Sequence, residues 1–290
     1  MKRILVPVDF SSNTGIACQY AYQIAQTAGS EIILFHSFFD QLYFPGGGFN
    51  AGFETGLMLT DEIILDFYQQ KEAKLNTMAK ELASSLPKTA APAVKITCRM
   101  ESGDPEVQII KVIDQLKPDL IVMGSTGMGK KRIMSGSVAR EIIDHTDVPV
   151  MAIPALDKAL PVRNVIYMTT FDDADTDLIP EIDLILKSFR VKFFCVHILR
   201  EKTIEEAQKS LELLSESQSL KKLEGRISFH LLDDDQEEET LRNFINETSA
   251  DLIAFIPHKR NIFKNLFYQG ITRDDLFLNH IPILAIKPIK

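Results

Sequence analysis

Cysteine is scarce in this chain of 290 residues: Cys18, Cys98 and Cys195 are all there is. They are far apart, odd in number and form no C-x-x-C. That excludes a disulfide framework and a cysteine zinc site, and the three read as buried thiols of a cytosolic protein. No apolar run approaches the length of a membrane span. Basic excess is also missing: 32 Lys and Arg face 40 Asp and Glu, giving a net charge of −8 and a pI near 5.3. A nucleic-acid footprint needs the opposite balance. The histidines (36, 145, 197, 230, 258 and 280) show neither H-x-x-x-H nor H-E-x-x-H, so no metal site of protein ligands is expected. G-x-S-x-G and a Cys–His arrangement are absent, and no general base is evident, which speaks against nucleophilic catalysis. The acidic run 233–239 lacks EF-hand spacing and reads as a solvated loop ahead of a helix. The first nine residues, Met1 to Asp9, are too short in apolar content for a signal-peptide core and read as a first strand.

What is present is an ordinary globular composition, 45% hydrophobic and 25% charged, in a length that suits one large or two ordinary domains. The most informative stretch runs from Asp119 to Arg140. Its apolar run 120–123 has the length of a buried parallel strand. Glycines at 124, 127, 129 and 136 follow, where backbone N–H groups can approach a ligand. Ser137 stands at a helix N-cap position ahead of Val138, Ile142 and Ile143. Strand, glycine turn and helix N-terminus together make an anion site. Gly124 to Lys130 also fits the G-x-x-x-x-G-K half of a P-loop, but Lys131 replaces the Ser or Thr that would hold Mg²⁺.

Around this stretch the first half alternates strand and helix. Strands are expected at 4–8, 31–38, 94–100, 120–123 and 148–153. The helix after the first strand, capped by Ser11 or Ser12, has the apolar face Ala17, Tyr20, Ala21, Ile24, Ala25 and Ala28 and stops at Gly29. Another spans 61–85. Gly103-Asp104-Pro105 supplies a turn, an N-cap and a first-turn proline. The order predicts a doubly wound, five-stranded parallel sheet. Residues 38–60, rich in glycine and aromatics, interrupt it with a long loop whose glycines make ordering costly, read as a lid or as a surface for a partner or neighbouring subunit.

The glycine stretch resembles the signature of the universal stress protein family, G-x-x-G, nine residues, then G-[S/T]. Gly124 and Gly127 match the first pair and Gly136-Ser137 the last, with eight residues between Gly127 and Gly136 instead of nine. Residues 6–11, Leu34-Phe35-His36, Gly103-Asp104-Pro105 and residues 119–153 extend the likeness over the first half. The resemblance implies the adenine nucleotide alpha hydrolase-like fold and an adenine nucleotide, ATP or AMP, with Mg²⁺ possible beside ATP. It implies a site of Pro7, Val8, Asp9, Ser37, Met123, Gly124, Ser125, Gly127, Gly129, Lys130, Gly136, Ser137 and Val138. Asp9 and Ser37 would lie at the adenosine, Met123 beside the base, and Gly124, Gly127, Gly136 and Ser137 at ribose and phosphates. Lys130, with Lys131 and Arg132, either neutralises phosphate or is solvated. Asp9 is also a plain helix cap, and the two roles coexist.

The second half reads as a worn copy. Residues 165–168, 191–199, 226–232, 251–256 and 281–286 repeat the strands, with Phe171 for Phe10 and His197 for His36. The expected division is a domain at 1–154, a linker at 155–161 and a degenerate domain at 162–290. The copy has lost the loop: Ile256-Pro257-His258-Lys259 replaces Gly124-Ser-Thr-Gly127, Ile271 follows Gly270, and Thr170 takes the place of Asp9. Asp172, Asp173, Asp175 and Asp177 are expected to add negative charge at that rim. The family resemblance implies pairing through the last strands, here an intramolecular pseudo-dimer with one nucleotide per chain, alongside a possible homodimer. The first functional expectation is a cytoplasmic stress-response regulator that binds a nucleotide. A weak ATPase or nucleotidyl transferase and a nucleotide-free interaction module stay open.

Overall fold

The computed structural model describes residues 1–38, 61–85, 93–125, 137–169, 171, 174–199, 204–233, 237–257 and 281–288. The first half holds β1 (Arg3–Pro7), α1 (Ser12–Ala28), β2 (Glu31–Phe38), α2 (Asp61–Ser85), β3 (Ile96–Ser102), α3 (Pro105–Leu116), β4 (Leu120–Gly124), α4 (Ser137–His145) and β5 (Val150–Ile153). The second holds β6 (Asn164–Met168), α5 (Asp175–Ile185), β7 (Lys192–Leu199), α6 (Ile204–Ser215), α7 (Gln218–Lys221), β8 (Ile227–Asp233), α8 (Glu237–Thr248), β9 (Leu252–Phe255) and β10 (Ile283–Ala285). The loop expected over 38–60 lies outside the described residues except for Phe38, the last residue of β2.

Short-range chemistry sets several helix ends. Ser11 caps α1 by accepting from the Thr14 N–H at 3.3 Å. Gly29 ends it in the left-handed region at φ 66, where a Cβ would be strained. Asp104 caps α3 by accepting from the Glu106 and Val107 N–H groups at 3.0 and 3.2 Å, with Pro105 opening the helix. One detail differs from the sequence pattern. Ala28 is exposed, because the apolar stripe of α1 runs off the sheet one turn earlier. α4 begins at Ser137, where the sequence places its start.

The strands form one ten-stranded sheet in the order β3-β2-β1-β4-β5-β10-β9-β6-β7-β8. Every pairing is parallel except one: β10 runs antiparallel to β5, with Ile283 opposite Ala152, Leu284 opposite Met151 and Ala285 opposite Val150. The two halves thus share one strand order and are doubly wound. The side chains of each strand alternate between two cores. Ile4 and Val6 pack with Tyr20, Ile24 and Leu75 under α1 and α2, whereas Leu5 packs with Ile109, Ile121 and Ile142 under α3 and α4. The outer strand β3 is only half-buried and carries Arg99 and Glu101, joined at 2.7 Å, on the face toward α3, where Arg99 also donates to Gln115 at 2.5 Å. Across the junction the buried Tyr20 hydroxyl accepts from the Leu160 N–H at 3.1 Å.

Candidate functional site

Strand order fixes where a ligand belongs. From β1 the chain moves outward through β2 and β3, then crosses to the other side of β1 with β4. The carboxyl ends of β1 and β4 are therefore adjacent but feed connections that diverge, which leaves a crevice.

On one side of it the Val8 N–H donates to the Phe35 carbonyl at 2.7 Å, and Asp9 then leaves the sheet. The Asp9 carboxylate accepts from the Ser11 N–H at 2.9 Å and from the Thr14 hydroxyl. It is half-buried and held rigidly at the rim. Phe10 follows at φ 62, an unusual conformation for a bulky side chain. Its ring lies 4.5 Å from that of His36, whose Nδ1–H donates to the Val8 carbonyl at 2.6 Å. Burial lowers the His36 pKa; the Val8 carbonyl and Asp9 oppose the shift, and Lys71 and Lys74 add to it. Those two lysines project from α2 over the Phe10 ring, 5.5 and 4.5 Å from its centre. The sequence reading passed over them. Their spacing of three on one helix was the available signal.

On the other side Met123 is buried, Gly124 ends β4 opposite Ile153, and the Ser125 N–H donates to the Ile153 carbonyl at 2.7 Å. Gly124 thus serves in extended pairing, not as a turn. Pro7 is buried at the end of β1. Ser37 lies on β2, its hydroxyl donating to the Gly103 carbonyl at 2.7 Å, so its side chain is tied to the turn before α3. Val138 packs half-buried on the core under α4. Pro7, Val8, Asp9, Ser37, Met123, Gly124 and Ser125 thus share the carboxyl edge of three neighbouring strands. Gly127, Gly129, Lys130 and Gly136 lie outside the described residues.

The second half keeps the frame and loses the carboxylate. Phe171 at φ 58 stacks on His197 at 4.1 Å, and His197 Nδ1–H donates to the Thr169 carbonyl at 3.1 Å. Asp251 accepts from the Arg163 and Asn164 N–H groups at 2.8 and 3.0 Å, as Asp119 does from Lys2 and Arg3 at 2.7 and 2.8 Å. Asp175 departs from the expectation of rim charge. It is fully buried and accepts from the Tyr167 hydroxyl at 2.5 Å and from the Thr169 hydroxyl. Its first-turn position on α5 turns it into the core, where those hydroxyls replace water. Asp177 is exposed; residues 170, 172 and 173, like Gly270, Ile271, His258 and Lys259, lie outside the described residues. Ile256 is buried, and Pro257 has no N–H to offer where Ser125 donates one.

Among the described residues no group of three or more His, Cys, Asp or Glu could hold a metal ion, and no helix is long and apolar enough to cross a membrane. Cys18 and Cys195 are buried while Cys98 is half-exposed on β3; burial pushes the Cys18 thiol up to about 12.

Two doubly wound parallel halves, each with its reversal of strand order beside its first strand, define an α/β protein of tandem type. The model of the universal stress protein family matches residues 1–154, and the chain belongs to that family. The universal stress protein MJ0531 of Methanocaldococcus jannaschii is 31% identical over 153 residues, 52% of this chain and 81% of that protein. The same organism's universal stress protein MJ0577 is 26% identical over 154 residues, 52% and 94% of the two chains. Over 99% of this chain and 96% of the other, the fold matches the crystal structure of a universal stress protein from Archaeoglobus fulgidus, with a TM-score of 0.67 at 18% identity.

Proposed function

We propose that the first half binds an adenine nucleotide, ATP or AMP, and that the protein acts in the stress response as a nucleotide-dependent regulator and not as a catalyst. The observation that carries this reading is the meeting of Asp9 with Gly124 and Ser125 on adjacent strand ends at the switch point. Asp9, fixed by Ser11 and Thr14, is a ready acceptor for ribose hydroxyls or a base amine. Met123 and the Val8 side chain offer apolar surface for the base, and the main chain at Ser37 offers polar contacts to it. Gly127, Gly129, Lys130, Gly136 and the α4 N-terminus beginning at Ser137 and Val138 take the phosphates. Magnesium would accompany the nucleotide where that is ATP.

The second half supports its own core and no nucleotide in this reading, since Thr170 stands in the place of Asp9 and Ile256-Pro257-His258-Lys259 replaces the glycine turn. The division is 1–154 for the binding domain, 155–161 for the linker and 162–290 for the degenerate copy. The antiparallel β5–β10 pairing supports an intramolecular pseudo-dimer in which each half covers the other's sheet edge. A cytoplasmic location goes with these roles.

Native mass spectrometry of the purified chain, followed by ATP calorimetry, tests the proposal. One co-purifying or titratable adenine nucleotide per chain is expected. Gly127→Asp places a carboxylate where phosphate charge goes, and Asp9→Ala removes the fixed acceptor. Both are expected to weaken ATP binding at least tenfold, because an unpaired buried polar or charged group costs about 1–3 kcal/mol or more. Unchanged affinity in a folded Gly127→Asp variant refutes the site. Two nucleotides per chain refute the reading of the second half.

A further inference from the structure

We infer that Lys287 is a positioning residue through which the second half sets the nucleotide affinity of the first; the inference rests on the nucleotide reading above. Lys287 follows β10, and its side chain is 7% exposed. Its Nζ donates to the Thr146 carbonyl at 2.5 Å and the Asp144 carbonyl at 3.2 Å, and lies 4.0 Å from the Asp147 carboxylate. These carbonyls belong to the carboxyl end of α4, where the last four have no partner within the helix. An ammonium there satisfies two of them and sits on the negative end of the helix dipole.

The opposite end of the same helix is the one that opens from the glycine stretch. With nine residues, α4 is far shorter than a helix that holds itself together in water. Its N-terminal amides are presented to a ligand only while the whole helix stays formed and seated. Packing of Ala139, Ile142 and Ile143 holds its middle, and Lys287 holds its end.

The pairing of β10 with β5 sets this contact. β10 places Ala285 opposite Val150, so the chain beyond it passes the turn at 146–149. In the first half the residue after Ile153 is Pro154, where the second half has Lys287 after Ile286. Proline has no cation to send across. The buried ammonium of the second half therefore falls on α4, whose other end follows the glycine stretch.

The coupling is reciprocal. Formation of α4 is part of the binding-competent state, so loss of the cap lowers the competent fraction and raises the apparent Kd by the same factor. Calorimetry with ATP on the full chain compares wild type with Lys287→Met, which keeps the apolar stem, and Lys287→Arg, which keeps the cation. The expected result is a rise in Kd of about three- to tenfold for Lys287→Met, within the range of helix-terminus charge effects in partly buried sites, with Lys287→Arg closer to wild type. Hydrogen exchange of the α4 amides without ligand should quicken in Lys287→Met. On the wild-type protein alone, saturating ATP should slow acetylation of Lys287 by acetic anhydride relative to exposed Lys209.

A wild-type chain that binds no ATP overturns the nucleotide reading. A wild-type chain that binds, with Lys287→Met equal to it, overturns the coupling and leaves the site intact. Acetylation of Lys287 that ignores ATP overturns the coupling without recourse to any variant.

Discussion

Replacing Leu284 by alanine tests whether β10 is sealed between the two halves. Leu284 has no exposed surface and sits on β10 opposite Met151 of β5 on one side and beside Ala254 of β9 on the other. All three are fully buried. The substitution removes three carbon atoms, about 2.4 kcal/mol of transfer at ~0.8 kcal/mol per methylene. The cavity adds to this, because ladders on both sides of β10 keep the neighbouring backbones from closing in. A total of about 3–4 kcal/mol follows. Urea unfolding followed by far-UV circular dichroism is the assay, since the chain has no tryptophan for fluorescence. Leu213→Ala serves as control: that side chain is 65% exposed, and a change within about 0.5 kcal/mol is expected. If the halves unfold as one unit, Leu284→Ala lowers the midpoint of a single transition. A Leu284→Ala variant no less stable than the control would show that the seam is not packed as described.

Two pH effects follow from the charges. Burial tends to raise the Asp119 carboxyl, but the Arg3 and Lys2 N–H groups outweigh it and the net shift is below 3.8. A depressed folded pKa means stabilisation that is complete above the unfolded value and lost as pH falls through the folded one, so wild type should lose more stability than Asp119→Asn below about pH 4; equal acid sensitivity refutes the role of that contact. Burial lowers His36 from 6.5, with Asp9 and the Val8 carbonyl opposing and Lys71 and Lys74 assisting, and burial lowers His230 likewise. The unfolded chain then takes up protons first, so stability declines as pH drops below about 6.5 and levels off near the folded value. His36→Gln should flatten that slope in urea titrations between about pH 5 and 7, and an unchanged slope would show that His36 contributes nothing to it.

How far the sequence reached is clearest where a rule acts over a few residues. The helix Asp61–Ser85, the cap and proline at Asp104-Pro105 and the left-handed stop at Gly29 were all legible, because each depends on backbone groups three or four positions away. The end of β4 at Gly124 and the departure of Asp9 from β1 were legible for the same reason: residue types at fixed spacing imply local geometry. Pairing of the last strands was expected only from the family resemblance; its antiparallel direction and its register were not legible, since a short apolar strand carries no mark of its neighbour. Nor could the pattern show that Asp175 turns into the core to meet Tyr167 and Thr169, or that Lys71 and Lys74 cover Phe10. The reach of Lys287 to carbonyls 141 and 143 residues earlier was equally hidden. Chain-local hydrogen bonds and periodicity therefore fixed the elements and the strand ends at which the proposed site lies. Which surfaces met, and which charges were buried in the meeting, was decided by packing between residues whose separation along the chain leaves no trace in spacing.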